Sequence, residues 1–227
     1  MSESRVELYP ITIIDDFYDD PDAIREFALE ESYRYDHEGR WPGLRSQFLH
    51  LTHDGLYNHF CSQILKLWYL PNMELSWQCD TCFQKVWRFS SDPNSLKNRG
   101  WIHRDSEYLF GGLVYLDPNP APNSGTILYQ KKKNESWIGS AEQKSFLYNG
   151  VVSEFDEEKY NEEWNYNNDQ FTESIRVENK YNRMILFSSK TWHAADNYWR
   201  PDDDDFRLFQ PFFFGQVNCH ARPPLYR

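Results

Sequence analysis

Two histidines and one aspartate stand at spacings that suit a metal ion. His103 and Asp105, in Trp101-Ile102-His103-Arg104-Asp105, lie two residues apart. On a strand such residues share a face, so an imidazole and a carboxylate are aimed at one point. A third donor must come from elsewhere, and His193, 88 residues beyond Asp105 and directly after the apolar run Met184-Ile185-Leu186-Phe187, is the natural candidate. Two histidines and one carboxylate on one face of an octahedral ion leave positions open, a donor set suited to non-haem Fe(II) and O2 chemistry. Arg207 follows His193 by 14 residues and opens the aromatic run that ends at Phe214. A guanidinium there is costly to bury without an anion, and its planar fork matches a carboxylate. Either the far end of a dicarboxylate cosubstrate or the neighbouring acids Asp202 to Asp205 would pair with it.

The other reactive side chains suggest no second chemistry. Cys79 and Cys82 form a CxxC, but no second pair completes a zinc site, and the motif falls in an alternating stretch rather than at a helix start. Residues three apart on a strand face opposite ways, so these two thiols are expected to be buried structural groups. His37, His50, His53, His59 and His220 stand in no informative setting.

The elements that must position the site can be outlined from periodicity. Leu8 to Ile14 reads as a strand, and Asp20-Pro21-Asp22 supplies a cap and a first-turn proline for a helix through about Glu31. A second helix is expected from about Gly55 to Trp68, with Leu56, Phe60, Ile64, Leu67 and Trp68 on one face. From Leu75 onward the pattern turns to short β-rich runs: 75–89, 101–105, 109–116, 126–129, 174–178, 183–188 and 206–214, with Asp-Pro-Asn-Pro at 117–120 a strong turn. The polar stretch 153–172 reads as a short helix followed by an Asn-rich loop, part of an insertion at about 131–181 that is either a lid or a surface excursion. Helices followed by many short strands predict an α+β fold.

The 227 residues carry no repeat or linker and are expected to form one domain. An aromatic content of 18% excludes disorder for most of the chain. No apolar run approaches the length of a membrane span, and the charged amino terminus does not read as a secretory signal, so a cytoplasmic protein is expected. The net charge of −11 disfavours nucleic acid as a partner. Residues 154–173 contribute eight acids and one base, and Asp202 to Asp205 four more acids, which accounts for the whole excess. Placed at a pocket mouth, these acids would favour neutral or cationic substrates.

The HxD, the distal histidine after an apolar strand and the arginine opening the next strand together resemble the Fe(II)/2-oxoglutarate-dependent oxygenase superfamily. The similarity is greatest to its prolyl-4-hydroxylase-like branch: Gly112-Leu113-Val114-Tyr115-Leu116-Asp117 and Ser124-Gly125-Thr126-Ile127-Leu128-Tyr129 resemble two of that branch's strands. Ile14-Asp15-Asp16-Phe17-Tyr18-Asp19-Asp20-Pro21 and Pro42-Gly43-Leu44-Arg45-Ser46 resemble segments of uncharacterised bacterial and phage members. The resemblance implies a double-stranded β-helix, a cupin-like jelly roll, over residues 75–214, supported by an amino-terminal portion, residues 1–74. It implies Fe(II) on His103, Asp105 and His193, and 2-oxoglutarate on Arg207 assisted by Tyr115 and Thr126. O2 is the co-reactant and a small-molecule or peptidyl compound the substrate, hydroxylated with release of succinate and CO2. Asp105 itself implies hydroxylation, since related halogenating enzymes need a small residue at that ligand position. The branch usually has a shorter gap between its distal histidine and basic residue, often a lysine. Two other readings remain: a jelly-roll binding module without catalysis, and a cupin-like metalloenzyme that does not use 2-oxoglutarate.

Overall fold

The computed structural model describes residues 11–69, 73–105, 107–132 and 142–218. In chain order the elements are β1 (Ile11–Ile14), α1 (Pro21–Glu30), β2 (Arg34–Tyr35), β3 (Leu44–Arg45), α2 (Leu49–Thr52), α3 (Asp54–Leu65), β4 (Ser76–Thr81), β5 (Gln84–Val86), β6 (Phe110–Tyr115), β7 (Thr126–Lys131), α4 (Glu142–Asn149), α5 (Glu157–Asp169), β8 (Phe171–Val177), β9 (Met184–Ser188), β10 (Trp192–Ala195) and β11 (Arg207–Asn218). Eight strands form a large antiparallel sheet in the order β1-β9-β6-β11-β5-β3-β2, with β4 also paired to β11, and β10-β7-β8 form a smaller one. The fold is α+β with a double-stranded β-helix core.

The long strand β11 is the spine of the large sheet, and its two faces explain why Leu208 to Phe214 is apolar but for Gln210. Leu208, Phe212 and Phe214 face the core that also holds Ala28 of α1, Leu49 of α2 and Phe60 and Ile64 of α3. The alternate set, Arg207, Phe209, Pro211 and Phe213, lines the cavity between the two sheets. The same alternation holds in β9, where Met184 and Leu186 join the helical side and Ile185 and Phe187 the inter-sheet side. A strand buried on both faces loses the polar half of its period.

Several expectations change in detail. The stretch 75–89 is two strands, broken at Cys82-Phe83 opposite Gln210-Pro211 of β11. A central-strand proline has no N–H to donate, so the ladder cannot run unbroken past it. Instead Phe83 turns to Ser46, its N–H donating to Ser46 Oγ at 2.9 Å and its carbonyl accepting from Ser46 N at 2.9 Å. The helix expected at 55–68 is α3, ending at Leu65 and preceded by the single turn α2. α1 begins as expected, with Asp20 Oδ1 accepting from Ala23 N at 3.0 Å. Of the strand at 8–14, residues 8–10 lie outside the described residues, as does His220.

The Asn-rich tract is helical through Asp169, contrary to the expected loop. A tertiary contact accounts for this: the Asn167 amide is buried and clamps Ile102, accepting from its N–H at 3.1 Å and donating to its carbonyl at 3.3 Å. Tyr160 OH accepts from Trp101 Nε1 at 3.1 Å, and Trp164 Nε1 donates to the Gly100 carbonyl at 3.3 Å. α5 therefore buttresses the segment that carries His103 and Asp105. Cys61, Cys79 and Cys82 are buried free thiols. Cys79 and Cys82 are divided as expected, Cys79 lying in the helical core with Cys61. No helix among the described residues is long and apolar enough to cross a membrane.

Candidate metal centre

His103 and His193 face one another across an antiparallel bridge. His103 N donates to the His193 carbonyl at 3.0 Å and His193 N to the His103 carbonyl at 2.9 Å. Side chains of such a directly opposed pair emerge on the same face. Their rings stand 4.4 Å apart between centroids. His193 does not directly continue β9. A turn at Ser189-Lys190-Thr191 returns the chain, and His193 sits within β10 opposite Leu128 of β7. The expected strand at 101–105 reduces to that one bridge, and Asp105 is placed by its N–H donating to the Ser189 carbonyl at 3.1 Å.

The donor atoms converge. Asp105 Oδ2 lies 3.4 Å from His193 Nε2 and Asp105 Oδ1 3.9 Å from His103 Nε2. One atom from each of the three lies within 4.8 Å of the others. Each imidazole is fixed through its other nitrogen, Nδ1 of His103 against the Trp101 carbonyl at 2.9 Å and Nδ1 of His193 against the Thr191 carbonyl at 3.0 Å. A carbonyl only accepts, so both Nδ1 atoms carry the proton and both Nε2 lone pairs face the cluster, the tautomer a metal requires. Desolvation by the protein atoms around the cavity into which the half-exposed ring projects, together with His193 alongside, pushes the His103 pKa down to about 4, which favours the neutral, ligating ring. The donor set and its tautomers fit a divalent transition metal with open positions.

The cluster opens into a cavity of about 410 Å³ between the sheets, lined also by Thr126, Arg207, Tyr198 and Phe213. Arg207 is 1% exposed, yet Nε, Nη1 and Nη2 find no hydrogen-bond partner among the described residues. Its guanidinium lies among aromatic rings, 5.0 Å from that of Phe209, 5.4 Å from Tyr115 and 5.9 Å from Tyr198. Of the four acids that were the alternative partners none pairs with Arg207: Asp203 pairs with Arg88, and Asp205 lies 3.5 Å from Arg200, which also pairs with Asp117. Tyr115 is fully buried and its hydroxyl is bonded to Thr126 Oγ1 at 2.8 Å. Burial raises the Tyr115 pKa, and the Arg207 charge nearby opposes the rise.

None of the residues of 154–173 or 202–205 lines the cavity, and among the described residues its charged lining besides Asp105 and the histidines is basic: Arg40, Arg45, Lys144 and Arg207. Sequence reading missed Arg45, Lys144 and the buttress Asn167 as site residues. Arg45 had a signal, its place in Pro42-Gly43-Leu44-Arg45-Ser46, whereas Lys144 had none.

The chain is a double-stranded β-helix protein in which two histidines and one carboxylate form a cluster that could hold a metal ion. HygX from Streptomyces hygroscopicus, solved with nickel and 2-oxoglutarate bound, is similar at a TM-score of 0.51 and 12% identity, over 91% of this chain and 83% of that one. The HygX structure with nickel, 2-oxoglutarate and hygromycin B gives the same values. A prolyl hydroxylase from Trichoplax adhaerens, in complex with a hypoxia inducible factor peptide, reaches a TM-score of 0.48 at 11% identity, over 90% and 82% of the two chains. At such identities the likeness is one of fold. The chain belongs to DUF6445, described as a family of unknown function, whose sequence profile matches residues 2–202. No curated protein matches it in sequence.

Proposed function

We propose that this protein is an Fe(II)- and 2-oxoglutarate-dependent dioxygenase that hydroxylates an unactivated C–H bond of an amino-acid, peptidyl or other small substrate. The observation that carries the reading is Arg207, a buried guanidinium whose three nitrogens have no hydrogen-bond partner among the described residues and which lines the cavity that also holds His103, Asp105 and His193. A buried unpaired cation is strongly unfavourable, so the site is built for an anion that arrives with function. His103, Asp105 and His193 would hold the iron. When bound, iron and cosubstrate supply the oxidative chemistry, consuming O2 and releasing succinate and CO2.

The chain's own residues bind and orient. Arg207 receives the far carboxylate of 2-oxoglutarate in its fork, and Tyr115, bonded to Thr126, holds that hydroxyl pair in one orientation beside it. The Trp101 and Thr191 carbonyls fix the imidazoles, and the aromatic lining keeps the cavity largely apolar around the reacting groups. Residues 1–227 act in this reading as one domain.

Anaerobic addition of Fe(II) and 2-oxoglutarate should give a visible metal-to-ligand charge-transfer band, and admission of air should yield Fe(II)-dependent succinate without added substrate. His193→Ala should abolish the band. Protein that binds metal but gives the same spectrum and turnover with and without 2-oxoglutarate would instead be a metalloenzyme of another kind. Protein that binds no metal would be a binding module.

A further inference from the structure

The cavity holds a second set of unsatisfied donors, separate from Arg207. Arg45 lies on β3, and its Nε donates to Gln84 Oε1 at 2.8 Å. Gln84 Nε2 in turn donates to the Pro42 carbonyl at 2.7 Å, which locks the Pro42–Ser46 segment against β5. Gly43 makes the turn possible, with φ of +69° and a position where a Cβ would meet the Lys85 carbonyl oxygen at 2.1 Å. The Arg45 guanidinium is thus fixed over the Trp41 ring, 4.4 Å from its centroid, and 6.0 Å from that of Phe213. No carboxylate pairs with it among the described residues. Lys144 of α4 also lines the cavity without a carboxylate partner among the described residues, its ammonium 5.5 Å from the Tyr148 ring centroid. Trp41 Nε1, shielded from solvent, has no acceptor among the described residues. Arg40, by contrast, is committed to Asp36 at 2.9 Å and Glu38 at 3.4 Å.

Charge bookkeeping then assigns the surplus. On the reading proposed above, the metal dication and the 2-oxoglutarate dianion cancel, and Asp105 supplies one negative charge against the three cations Arg207, Arg45 and Lys144. Among the described residues the cavity is left with a surplus of two positive charges, in a wall that includes the Trp41, Tyr148 and Phe213 rings. A partly desolvated cation in such a place favours an anionic ligand over a neutral one of equal shape.

We propose that the primary substrate is itself an anion, a small molecule or residue bearing a carboxylate or phosphate that is bound by Arg45, Lys144 and the Trp41 indole N–H. Its apolar part packs on Trp41 and Phe213, beside the metal donors. The proposal rests on the oxygenase reading for the charge balance and reverses the preference for neutral or cationic substrates drawn from the acidic composition.

Calorimetric titration of the zinc- and 2-oxoglutarate-loaded full chain with phenylacetate, phenyl phosphate and the neutral phenylacetamide tests it. The better anion is expected to bind at least about tenfold more tightly than the amide, and the order of the two anions tells carboxylate from phosphate. Lys144→Gln and Arg45→Gln should each remove most of that preference while the affinity for 2-oxoglutarate stays within about twofold, and Arg45→Lys should retain part of it. If Arg45→Gln does not fold, Lys144→Gln and Arg45→Lys decide. Equal binding of the three probes, or anion binding indifferent to these substitutions, would overturn the proposal, as would loss of 2-oxoglutarate binding in Arg45→Gln. If the wild type takes up no 2-oxoglutarate yet binds the anions through Arg45 and Lys144, the oxygenase reading fails and the anion site stands.

Discussion

Replacing Arg207 by methionine separates a ligand-binding arginine from a structural one. Methionine keeps most of the volume among Phe209, Tyr115 and Tyr198 and removes the charge. An arginine holding the fold together would leave orphaned partners behind when removed. Arg207 has none to leave, since its three nitrogens are unbonded among the described residues. The loss of cation–π contact, about 0.5–2 kcal/mol, is opposed by relief of burying an unpaired charge, worth several kcal/mol. The metal-loaded variant without 2-oxoglutarate should therefore be at least as stable as the wild type. Binding is another matter: two charge-assisted hydrogen bonds at about 1.5–3 kcal/mol each imply a loss of 2-oxoglutarate affinity of about 100-fold or more. Thermal unfolding with Zn(II) reads both quantities. At a 2-oxoglutarate concentration of about 100 times its Kd, the wild type gains about 2.7 kcal/mol. For a chain of this size that is a rise in Tm of about 5–10 °C, against about 1 °C for Arg207→Met. A variant that keeps the full rise, or one that is several kcal/mol less stable before any 2-oxoglutarate is added, would refute the reasoning.

Asn167→Ala should cost about 1–3 kcal/mol in urea unfolding, because the Ile102 N–H and carbonyl lose their buried partner, and should also weaken Zn(II) binding at His103; unchanged metal affinity would show that the buttress does not position the ligand. Gly43→Ala forces a left-handed φ on alanine and drives its Cβ into the Lys85 carbonyl, so a loss of stability of at least about 1 kcal/mol is expected by the same measurement, with weaker phenylacetate binding as Arg45 shifts. Burial pushes the Cys82 thiol up to about 11 and the Cys79 thiol well above its ordinary value. At pH 8 about one Cys82 in a thousand is ionised, so a thiol reagent should label these two only after urea is added; rapid labelling of either in the native protein would contradict their burial.

That His103, Asp105 and His193 would be candidates for one cluster was legible in the sequence because residue spacing is local. The two-residue spacing suggests that His103 and Asp105 could share a face, and the apolar run before His193 marks a core strand that leads to the site, but the strand expected at 101–105 forms only the bridge at His103, and Asp105 is placed by the Ser189 carbonyl. The α+β pattern was legible for the same reason, as was the helix capped by Asp20. What hydropathy could not show was which polar residues a tertiary neighbour would claim. Asn167 lies in a tract that reads as loop, and only contact with the Ile102 backbone makes it a buried clamp on a helix. The break at Cys82 depends on a proline 129 residues later, because two strands must be paired before a missing N–H matters. Charge shows the limit most plainly. The sequence determined a net −11 and its location in two segments, but electrostatic effect depends on distance, which chain order does not supply. Only the tertiary structure decided that none of these acids lines the cavity, that Asp203 and Asp205 go to Arg88 and Arg200, and that Arg207, Arg45 and Lys144 line a basic pocket in an acidic protein.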